Sequence, residues 1–372
     1  MSQRIRVGII FGGRSGEHEV SLRSARSILE ALDPLRFEPV LVGIDHDGRW
    51  HLQEAARAML PAADGALILD DRTSALAISP CSGTALVQPG TSGPGGLPID
   101  VFFPVLHGTY GEDGTIQGLL EMADVAYAGS GVLGSAVGMD KDVAKRLLRD
   151  AGIPVVDWLV ARSWQRDALP DRLVAERIGF PCFVKPANLG SSVGVHKVKS
   201  EEALQRALDD AFQYDTKLLI EKAVDAREIE CAVLGNELPE ASIPGEIIPH
   251  AEFYSYEAKY IDSDGAGLAI PANVTTEQRD RVRKLAVETF QALELDGMAR
   301  VDFFLDRKTG ELFVNEVNTI PGFTSISMYP KLWEASGLSF SQLVTRLLEL
   351  GIERHNRRRA LRTRYQPEST PT

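Results

Sequence analysis

The stretch that decides the fold reads Met298-Ala-Arg-Val-Asp-Phe-Phe-Leu305, then Asp306-Arg-Lys-Thr-Gly310, then Glu311-Leu-Phe-Val-Asn-Glu-Val-Asn318. Apolar and polar residues alternate in both outer segments, and a polar turn that ends in glycine joins them. This pattern predicts a β-hairpin. Alternate residues of a strand share a face. The first strand is therefore expected to present Arg300, Asp302 and Phe304 together, and the second strand Leu312, Val314, Glu316 and Asn318.

The predicted hairpin brings two carboxylates, Asp302 and Glu316, close to the carboxamide of Asn318. A carboxylate among apolar neighbours needs a cation or a hydrogen-bonding partner. Hard oxygen ligands suit Mg²⁺, which is usually shared with substrate phosphates. The hairpin therefore predicts a magnesium site linked to phosphate. The alternative is a solvated pair of edge acids with Arg300 as their counter-ion.

The composition is that of a globular protein with two or three domains: 372 residues, 44% hydrophobic and 25% charged. The formal charge of −12, from 40 basic and 52 acidic residues, disfavours non-specific binding to nucleic acid. An anionic substrate would need local positive charge. Three scattered cysteines, Cys81, Cys182 and Cys231, have no metal-ligand spacing and are typical of reduced thiols in the cytoplasm.

The beginning of the sequence enters a predicted strand directly, without the pattern of a signal peptide. No apolar run approaches the length that spans a membrane. We therefore expect a cytoplasmic protein that binds neither nucleic acid nor membrane.

A glycine-rich turn, Gly12-Gly-Arg-Ser-Gly-Glu-His-Glu19, follows the predicted strand 6–11 and precedes a predicted helix over 20–32. Backbone N–H groups at such a turn can meet an anion. The turn lacks the Gly-x-Gly-x-x-Gly of dinucleotide folds, which disfavours a dehydrogenase. Glu17 and Glu19 favour a cation such as a substrate amine, with stabilisation of the helix N-terminus as the alternative.

Strands alternate with helices in this first part of the chain, with further strands expected over 37–44 and 101–106. This order predicts an open, mostly parallel sheet whose ligand-facing loops follow the strand ends. His107 lies in such a loop and is a candidate ligand contact, with a purely structural role as the alternative. The Gly- and Pro-rich stretch from Pro61 to Pro98 predicts a weak hairpin and a loop without chemistry.

A lysine and a Gly/Ser-rich loop follow the first predicted domain boundary. The helix that Lys141 opens ends near Gly152, and a later apolar strand delivers Lys185. The segment 187–195 is rich in glycine and serine, which suits a phosphate cover. It is not a Walker loop because Lys185 precedes the glycines.

Two acids flank the next strand pair, and a long loop follows it. Glu221 ends the predicted strand 217–222, and Glu228 begins another strand; together they are candidates to contact an adenine and a ribose, with two exposed acids as the alternative. The loop 249–267 is long enough to predict a lid or a binding loop. The chain from His355 onward is expected to fray.

Read in order, these motifs resemble those of the ATP-grasp ligases, and more narrowly those of D-alanine–D-alanine ligases. The narrower resemblance rests on the segments 12–21, 107–118, 256–260 and 318–325, and it extends from about Arg4 to about Gly351. It implies a two-step reaction in which ATP converts one D-alanine to an acyl phosphate and the amine of a second D-alanine then displaces phosphate. The implied product is D-alanyl-D-alanine for peptidoglycan synthesis.

The resemblance also assigns roles to residues. The positions implied to bind ATP are Lys141, Lys185, Ser192, Glu221, Lys222, Val224, Glu228, Lys259 and Asn315. Two Mg²⁺ or Mn²⁺ ions are assigned to Asp302, Glu316 and Asn318, and a monovalent cation is a further expectation. The catalytic set is Glu17, Ser191, Lys259, Tyr260, Arg300, Gly322 and Ser327, and the substrate contacts are Glu17, His107, Ser327 and Met328.

Two of these positions bear on specificity. Relatives that use D-lactate lack Tyr260, so the tyrosine favours dipeptide synthesis. Met328 departs from the leucine expected there.

The expected fold is α/β: an N-terminal open parallel sheet over 1–140, followed by two ATP-grasp α+β subdomains, 141–222 and 223–354, that clamp the nucleotide. Residues 355–372 are expected to be a tail, and the protein a homodimer. A ligase for another acid or amine, or for D-alanine and D-lactate, is the nearest alternative. A non-catalytic nucleotide sensor is a further alternative, but it would have no need for Arg300 together with three metal ligands.

Overall fold

The computed structural model describes residues 4–60, 77–78, 85–87, 97–168, 171–249, 266–324 and 326–362. The strands, numbered in chain order, are β1 Ile5–Gly12, β2 Phe37–Ile44, β3 Trp50–Leu52, β4 Ala77–Ile78, β5 Ala85–Val87, β6 Leu97–Pro98, β7 Val101–Val105, β8 Ala126–Tyr127, β9 Trp158–Arg162, β10 Cys182–Pro186, β11 His196–Val198, β12 Lys217–Lys222, β13 Ala226–Gly235, β14 Glu240–Ala241, β15 Gly245–Pro249, β16 Ala266–Ala269, β17 Gly297–Asp306 and β18 Leu312–Asn318. The helices are α1 His18–Ala31, α2 Glu54–Met59, α3 Thr115–Met122, α4 Val132–Met139, α5 Lys141–Asp150, α6 Asp171–Arg177, α7 Glu201–Ala211, α8 Thr276–Ala292, α9 Met328–Ala335 and α10 Phe340–Arg359.

The N-terminal sheet has the order β3-β2-β1-β7-β8, and only β3 runs antiparallel to its neighbour. Its central strand β1 is an apolar run that is buried on both faces, as expected of a parallel sheet covered by helices. The carboxyl ends of β1 and β7 therefore lie side by side. The loops that begin at Gly12 and at Leu106 meet there.

Two antiparallel sheets follow. The first has the order β11-β10-β12-β9, and the second has the order β16-β15-β13-β17-β18 with β14 added to β13. The predicted mixed α/β fold, with an open parallel sheet followed by two α+β units, is confirmed. The boundaries placed at 140 and 222 stay predictions.

The main apolar core joins the two ends of the chain. Phe103 of the N-terminal sheet contacts Phe323, which follows the hairpin, with ring centroids 5.6 Å apart. Leu347 of α10 and Trp333 of α9 are buried in the same cluster. The loop after β18 is therefore held against the end of the N-terminal sheet.

One expectation about the C-terminal end is corrected. We expected fraying from His355, but α10 continues to Arg359. The reason is Arg354, which is buried and donates to the carbonyl oxygens of Tyr127 and Gly129. Within the described residues, no helix combines the length and the apolar character needed to cross a membrane.

Candidate active site

The predicted hairpin is present as β17 and β18, and it places its acids opposite each other. Asp302 pairs in register with Glu316, and Arg300 pairs with Asn318. Asp302 is only 8% exposed, and it lies on the face away from the apolar cluster that contains Val301 and its neighbours. The two carboxylates and the carboxamide thus share one site, as the alternation of the sequence predicts.

A β-bulge corrects one part of that prediction. Asp302 faces Glu316 but the next residue, Phe303, faces Val314, so Asn315 is an extra residue on β18. We had expected Val314 and Leu312 to share the face of Glu316. They pack in the apolar core instead. The bulge shifts the alternation by one residue, and this shift lets β18 serve both the core and the site.

Arg300 supplies the counter-charge in this structure. Its Nε and Nη2 atoms each donate to Asp302 at 2.8 Å, and Nε also lies 2.9 Å from Glu230. Burial opposes its charge, but Asp302 and Glu230 outweigh burial and raise the pKa of Arg300 well above its usual value. Arg300 is thus the counter-ion that the alternative interpretation expected. The Arg300–Asp302 pair is buried, however, and is not a solvated pair at the edge of the sheet.

The donor set fits a hard divalent cation. Asn318 Nδ2 donates to Asp302 Oδ2 at 2.9 Å, and Glu316 lies opposite Asp302 on the neighbouring strand, so three oxygen-bearing groups are close together. Each carboxylate oxygen has two lone pairs and can accept from Arg300 while it binds a metal ion. Carboxylate and amide oxygens are ligands that Mg²⁺ accepts. Asp302, Glu316 and Asn318 would hold such an ion.

Two lysines that the sequence singled out approach this site from different elements. Lys141, at the start of α5, lies 3.8 Å from Glu316 and donates to Leu189 O at 2.7 Å. Lys185, on β10, lies 3.3 Å from Asn315 Oδ1. Burial lowers the pKa of Lys141 despite the nearby Glu316. Positive charge is therefore concentrated where an anionic substrate would need it.

Lys145 is a third lysine at this site, and the sequence analysis missed it. It lies one helical turn after Lys141 on α5, and its Nζ is 2.8 Å from Glu221 Oε2. Glu221 Oε1 is 2.7 Å from Lys185 Nζ. The only sequence signal is the i, i+4 spacing from Lys141, which places both lysines on one helix face.

The positions predicted to contact adenine and ribose lie at the junction of β12 and β13. Glu221 points into the protein and both its oxygens contact lysines, whereas Lys222 is exposed. Val224 and Glu228 are half-buried. Burial opposes the charge of Glu221, but the two lysines outweigh it and lower its pKa. Their contacts with a nucleotide stay predictions.

The Gly/Ser-rich loop reaches the N-terminal turn. Ser191 Oγ donates to Glu17 Oε1, so two residues far apart in the sequence meet directly. Ser191 and Ser192 both have positive φ, 54° and 59°, a conformation that costs energy for residues other than glycine. Gly108 approaches Glu17 so closely that a Cβ there would lie 2.7 Å from Glu17 Oε2. Glu17 is therefore enclosed by two loops, and its role as a substrate anchor stays a prediction.

His107 and Glu112 both form hydrogen bonds with the backbone of Ile320, in the loop after the hairpin. His107 Nδ1 donates to Ile320 O at 2.9 Å, and Ile320 N donates to Glu112 Oε1 at 2.9 Å. Ser24 Oγ lies 3.1 Å from His107 Nε2 and accepts from Phe323 N. Burial lowers the pKa of His107 although the nearby Glu17 opposes this shift. His107 therefore holds the loop after β18, and a substrate contact by this residue stays a prediction.

The remaining predicted residues fall into two groups. Gly322 lies beside Ser327, since a Cβ on the glycine would be 3.0 Å from Ser327 Oγ, and Ser327 Oγ accepts from Thr324 N at 3.1 Å. The Met328 side chain is buried in the main core, and its contact with the second substrate stays a prediction. Lys259 and Tyr260, with most of the predicted lid 249–267, lie outside the described residues.

Lysine ammonium groups beside a pair of acids can bind the phosphates of a nucleotide together with a metal ion. Two α+β units provide these groups, the first through Lys185 and the second through the hairpin. This is the arrangement by which an ATP-grasp enzyme holds a triphosphate between two units, and the fold and the site together define that class.

The comparisons with known proteins narrow the class. A family profile described as the D-ala D-ala ligase N-terminus matches residues 6–130, and one described as the D-ala D-ala ligase C-terminus matches residues 147–349. The D-alanine–D-alanine ligase A of Chromobacterium violaceum is 54% identical over 94% of this chain and 96% of its own length. The chain therefore belongs to the D-alanine–D-alanine ligase family.

Solved structures agree in fold over nearly the whole chain. The D-alanine-D-alanine ligase from Coxiella burnetii is 38% identical, with a TM-score of 0.85 over 96% of this chain and 97% of that one. The VanG D-Ala:D-Ser ligase from Enterococcus faecalis is 34% identical, with a TM-score of 0.84 over 94% and 99% of the two chains. The predicted ATP-grasp fold is thus confirmed.

Proposed function

We propose that the protein joins two D-alanine molecules to D-alanyl-D-alanine, with ATP converted to ADP and phosphate, as a step of peptidoglycan precursor synthesis. Family membership over nearly the whole chain supports the reaction. The single observation that carries it is the pairing of Asp302 with Glu316 beside the ammonium groups of Lys141 and Lys185. This arrangement suits phosphoryl transfer, which asks mainly for positioning and for neutralised charge.

In the first step, a carboxylate oxygen of one D-alanine forms a bond to the γ-phosphorus of ATP, and the bond to the bridging oxygen of ADP breaks. Lys141 and Lys185 offset the charge of the phosphate oxygens. A divalent cation held by Asp302, Glu316 and Asn318, which we propose to be Mg²⁺, supplies further charge neutralisation when bound. The acyl phosphate makes the carboxyl carbon open to attack by a neutral amine.

In the second step, the amine of another D-alanine attacks the acyl carbon, loses a proton, and displaces phosphate. Negative charge develops on the carbonyl oxygen in this step. We assign its stabilisation to the Arg300 guanidinium and to the Gly322 N–H, because donors fixed before the reaction stabilise an oxyanion most effectively. Ser327 and Met328 are assigned to the carboxylate of this second substrate.

Glu17 is proposed to hold the amine of the first D-alanine. Its contact with Ser191 joins the substrate anchor to the Gly/Ser-rich loop, so the loop closes over the site where the acyl phosphate forms. Exclusion of water matters because an acyl phosphate hydrolyses readily. Lys259 and Tyr260 are proposed to complete this cover by contacting the γ-phosphate and Glu17.

Two wider properties are part of the proposal. A cytoplasmic location would give the enzyme access to ATP. A homodimer is the expected assembly.

The test is a phosphate-release assay with purified protein, ATP and Mg²⁺. Release of ADP and phosphate that requires D-alanine, with the dipeptide as product, is the expected result. D-serine, D-lactate and L-alanine are offered as competing second substrates, and each is expected to be a poorer acceptor. Turnover with another acid or amine and none with D-alanine would reject the substrate assignment.

A matched pair of variants tests the metal assignment. Glu316→Ala is expected to abolish turnover and leave the thermal unfolding midpoint almost unchanged, whereas Glu311→Ala, in the exposed turn of the same hairpin, keeps full activity. Retained activity in Glu316→Ala would count against a metal ion at this position.

A further inference from the structure

Two histidines and a glutamate meet at the outer side of the glycine-rich turn, away from the hairpin. The candidate ligand atoms of His18, Glu19 and His46 all lie within 4.8 Å of one another. His46 Nε2 is 3.9 Å from Glu19 Oε1, and the two imidazole rings are stacked with centroids 3.8 Å apart and planes 25° apart. The proposed ligase reaction uses none of these three side chains.

The buried histidine has one ring nitrogen turned toward this group. His18 is 5% exposed, and its Nδ1 lies 2.8 Å from the carbonyl oxygen of Gly13. Since a carbonyl only accepts, Nδ1 carries a proton, and in a neutral imidazole Nε2 then carries a lone pair. In the described part of the chain, no hydrogen bond uses His18 Nε2. Metal-binding histidines are oriented in this way, by donation of the other ring N–H to a backbone carbonyl.

The spacing of the group is close to what one ion needs. Two imidazole nitrogens on a tetrahedral zinc ion, each at about 2.0–2.1 Å, are separated by about 3.4 Å. The lone pairs of stacked rings lie in nearly parallel planes, so the exposed His46 must rotate out of the stack before both imidazoles can bind one ion. Glu19 lies in the first turn of α1, and its exposed carboxylate is already 3.9 Å from His46 Nε2.

We propose that His18, Glu19 and His46 form a binding site for a divalent transition-metal ion, with Zn²⁺ as the probe, separate from the oxygen-ligand site on the hairpin. Two imidazoles and one carboxylate select zinc and its first-row neighbours over Mg²⁺, which prefers oxygen ligands alone. Three protein ligands leave the remaining positions for water. The bound ion would tie the turn after β2 to the start of α1.

Arg14 and Arg49 lie near this group, and each already has a partner. Arg14 packs its aliphatic part near Gly48, and its guanidinium lies 5.9 Å from the centre of the Tyr110 ring. Arg49 pairs with Asp47 at 3.6 Å. Both cations of this loop therefore have partners of their own.

The experiment is a calorimetric Zn²⁺ titration of the untagged full-length protein in excess Mg²⁺, which occupies the oxygen-ligand site. Wild-type protein is expected to bind one Zn²⁺ more than His46→Ala, or to bind it at least tenfold more tightly, because loss of a ligand costs no less than the roughly 10–100-fold that second-shell changes cost. Glu19→Gln weakens the same binding. Co²⁺ is expected to give a visible absorption spectrum in wild-type protein that His46→Ala lacks.

His196→Ala is the matched control. His196 also pairs with a carboxylate, Asp210 at 2.8 Å, but it lies far from the group on a different sheet. Zn²⁺ binding by this variant should equal that of wild type. Equal binding in wild type and His46→Ala, or none in either, would overturn the proposal and leave His46 and Glu19 as an ordinary surface ion pair.

Discussion

Lys145 Nζ lies 2.8 Å from Glu221 Oε2, and both side chains are only 2% exposed. The second oxygen of Glu221 is held by Lys185 at 2.7 Å. Burial lowers the pKa of Lys145, because one carboxylate shared by two cations offsets the loss of water only in part. Lys145 thus shares Glu221 with Lys185, and we expect it to position Lys185 for the proposed contact with ATP.

Replacement of Lys145 by Met tests this role. With Lys145 removed, Lys185 alone must offset the charge of Glu221 and is expected to be less available to the phosphates. The KM for ATP should rise about tenfold or more while kcat at saturating ATP falls much less. The free energy of unfolding should fall, but by less than the roughly 3–5 kcal/mol of a fully broken buried ion pair, because Lys185 still pairs with Glu221. Steady-state kinetics and chemical denaturation measure the two effects.

Lys284→Met is the control for an exposed pair. Lys284 lies 3.7 Å from Glu288 on the surface of α8, and its loss should change stability by less than about 0.5 kcal/mol. A Lys145→Met enzyme with an unchanged KM for ATP would show that Lys145 supports the fold alone.

Ser191→Ala removes the direct contact between the Gly/Ser-rich loop and Glu17. A hydrogen bond to a charged group contributes about 1.5–3 kcal/mol, which corresponds to about a 10–100-fold rise in the KM for the first D-alanine. The KM for ATP and the thermal midpoint should change little. The measurement is steady-state kinetics with both substrates varied, with Ser27→Ala on the exposed face of α1 as control. An unchanged KM for D-alanine would remove Ser191 from the first substrate site.

Glu112 gives the stability of the protein a pH dependence. Burial, together with the charge of Glu17, raises the pKa of Glu112 to about 8. A glutamate in an unfolded chain titrates near pH 4.3, so the folded protein binds one more proton between about pH 4.3 and 8. The contribution of Glu112 is therefore fully present below pH 4.3, declines as the pH rises through this window, and changes no further above it.

The measurement compares thermal unfolding of wild type with that of Glu112→Gln from about pH 5 to about pH 9. The unfolding free energy of wild type should fall relative to the variant by on the order of 1 kcal/mol per pH unit up to about pH 8, and then run parallel to it. Parallel curves across the whole range would mean that Glu112 is ionised throughout, held by the N–H groups of Gly108 and Ile320.

The sequence alone predicts the strands and the hairpin well, because their signal is local. Alternation around Asp302 and Glu316 is a property of a few neighbouring residues, and it predicts their meeting without any knowledge of the rest of the chain. The predicted strand 217–222 agrees with β12 residue by residue. The same alternation does not predict the bulge at Asn315, because an extra residue in one strand can be recognised only when the register with its partner strand is known.

The residues that the sequence missed are those defined by tertiary packing. Lys145 lies in an amphipathic helix, where a lysine is normally taken as part of the solvated face. Only the approach of β12 and β10 to that helix buries it against Glu221. Arg354 likewise has the sequence context of a charged C-terminal segment, although the end of the N-terminal sheet binds it.

Arg354→Ala tests that last contact and with it the extent of α10. The Arg354 guanidinium donates to the carbonyl oxygens of Tyr127 and Gly129 and stacks 4.3 Å from the centre of the Tyr127 ring. Truncation leaves two buried carbonyl groups without their donor, at about 1–3 kcal/mol each, and loses the packing of the long side chain. The unfolding free energy should therefore fall by about 2–5 kcal/mol.

Arg359→Ala, at the exposed end of the same helix, is the matched control and should stay within about 0.5 kcal/mol of wild type. Chemical denaturation of both variants gives the comparison. Since α10 packs against β8, the loss at Arg354 should also speed amide exchange at Tyr127 and Ala128 more than at β12, which lies in a different sheet. Equal stability of the two variants would mean that the helix contributes little to the free energy of unfolding beyond Leu350. Fraying from His355 would then describe the protein in solution better than a helix that continues to Arg359.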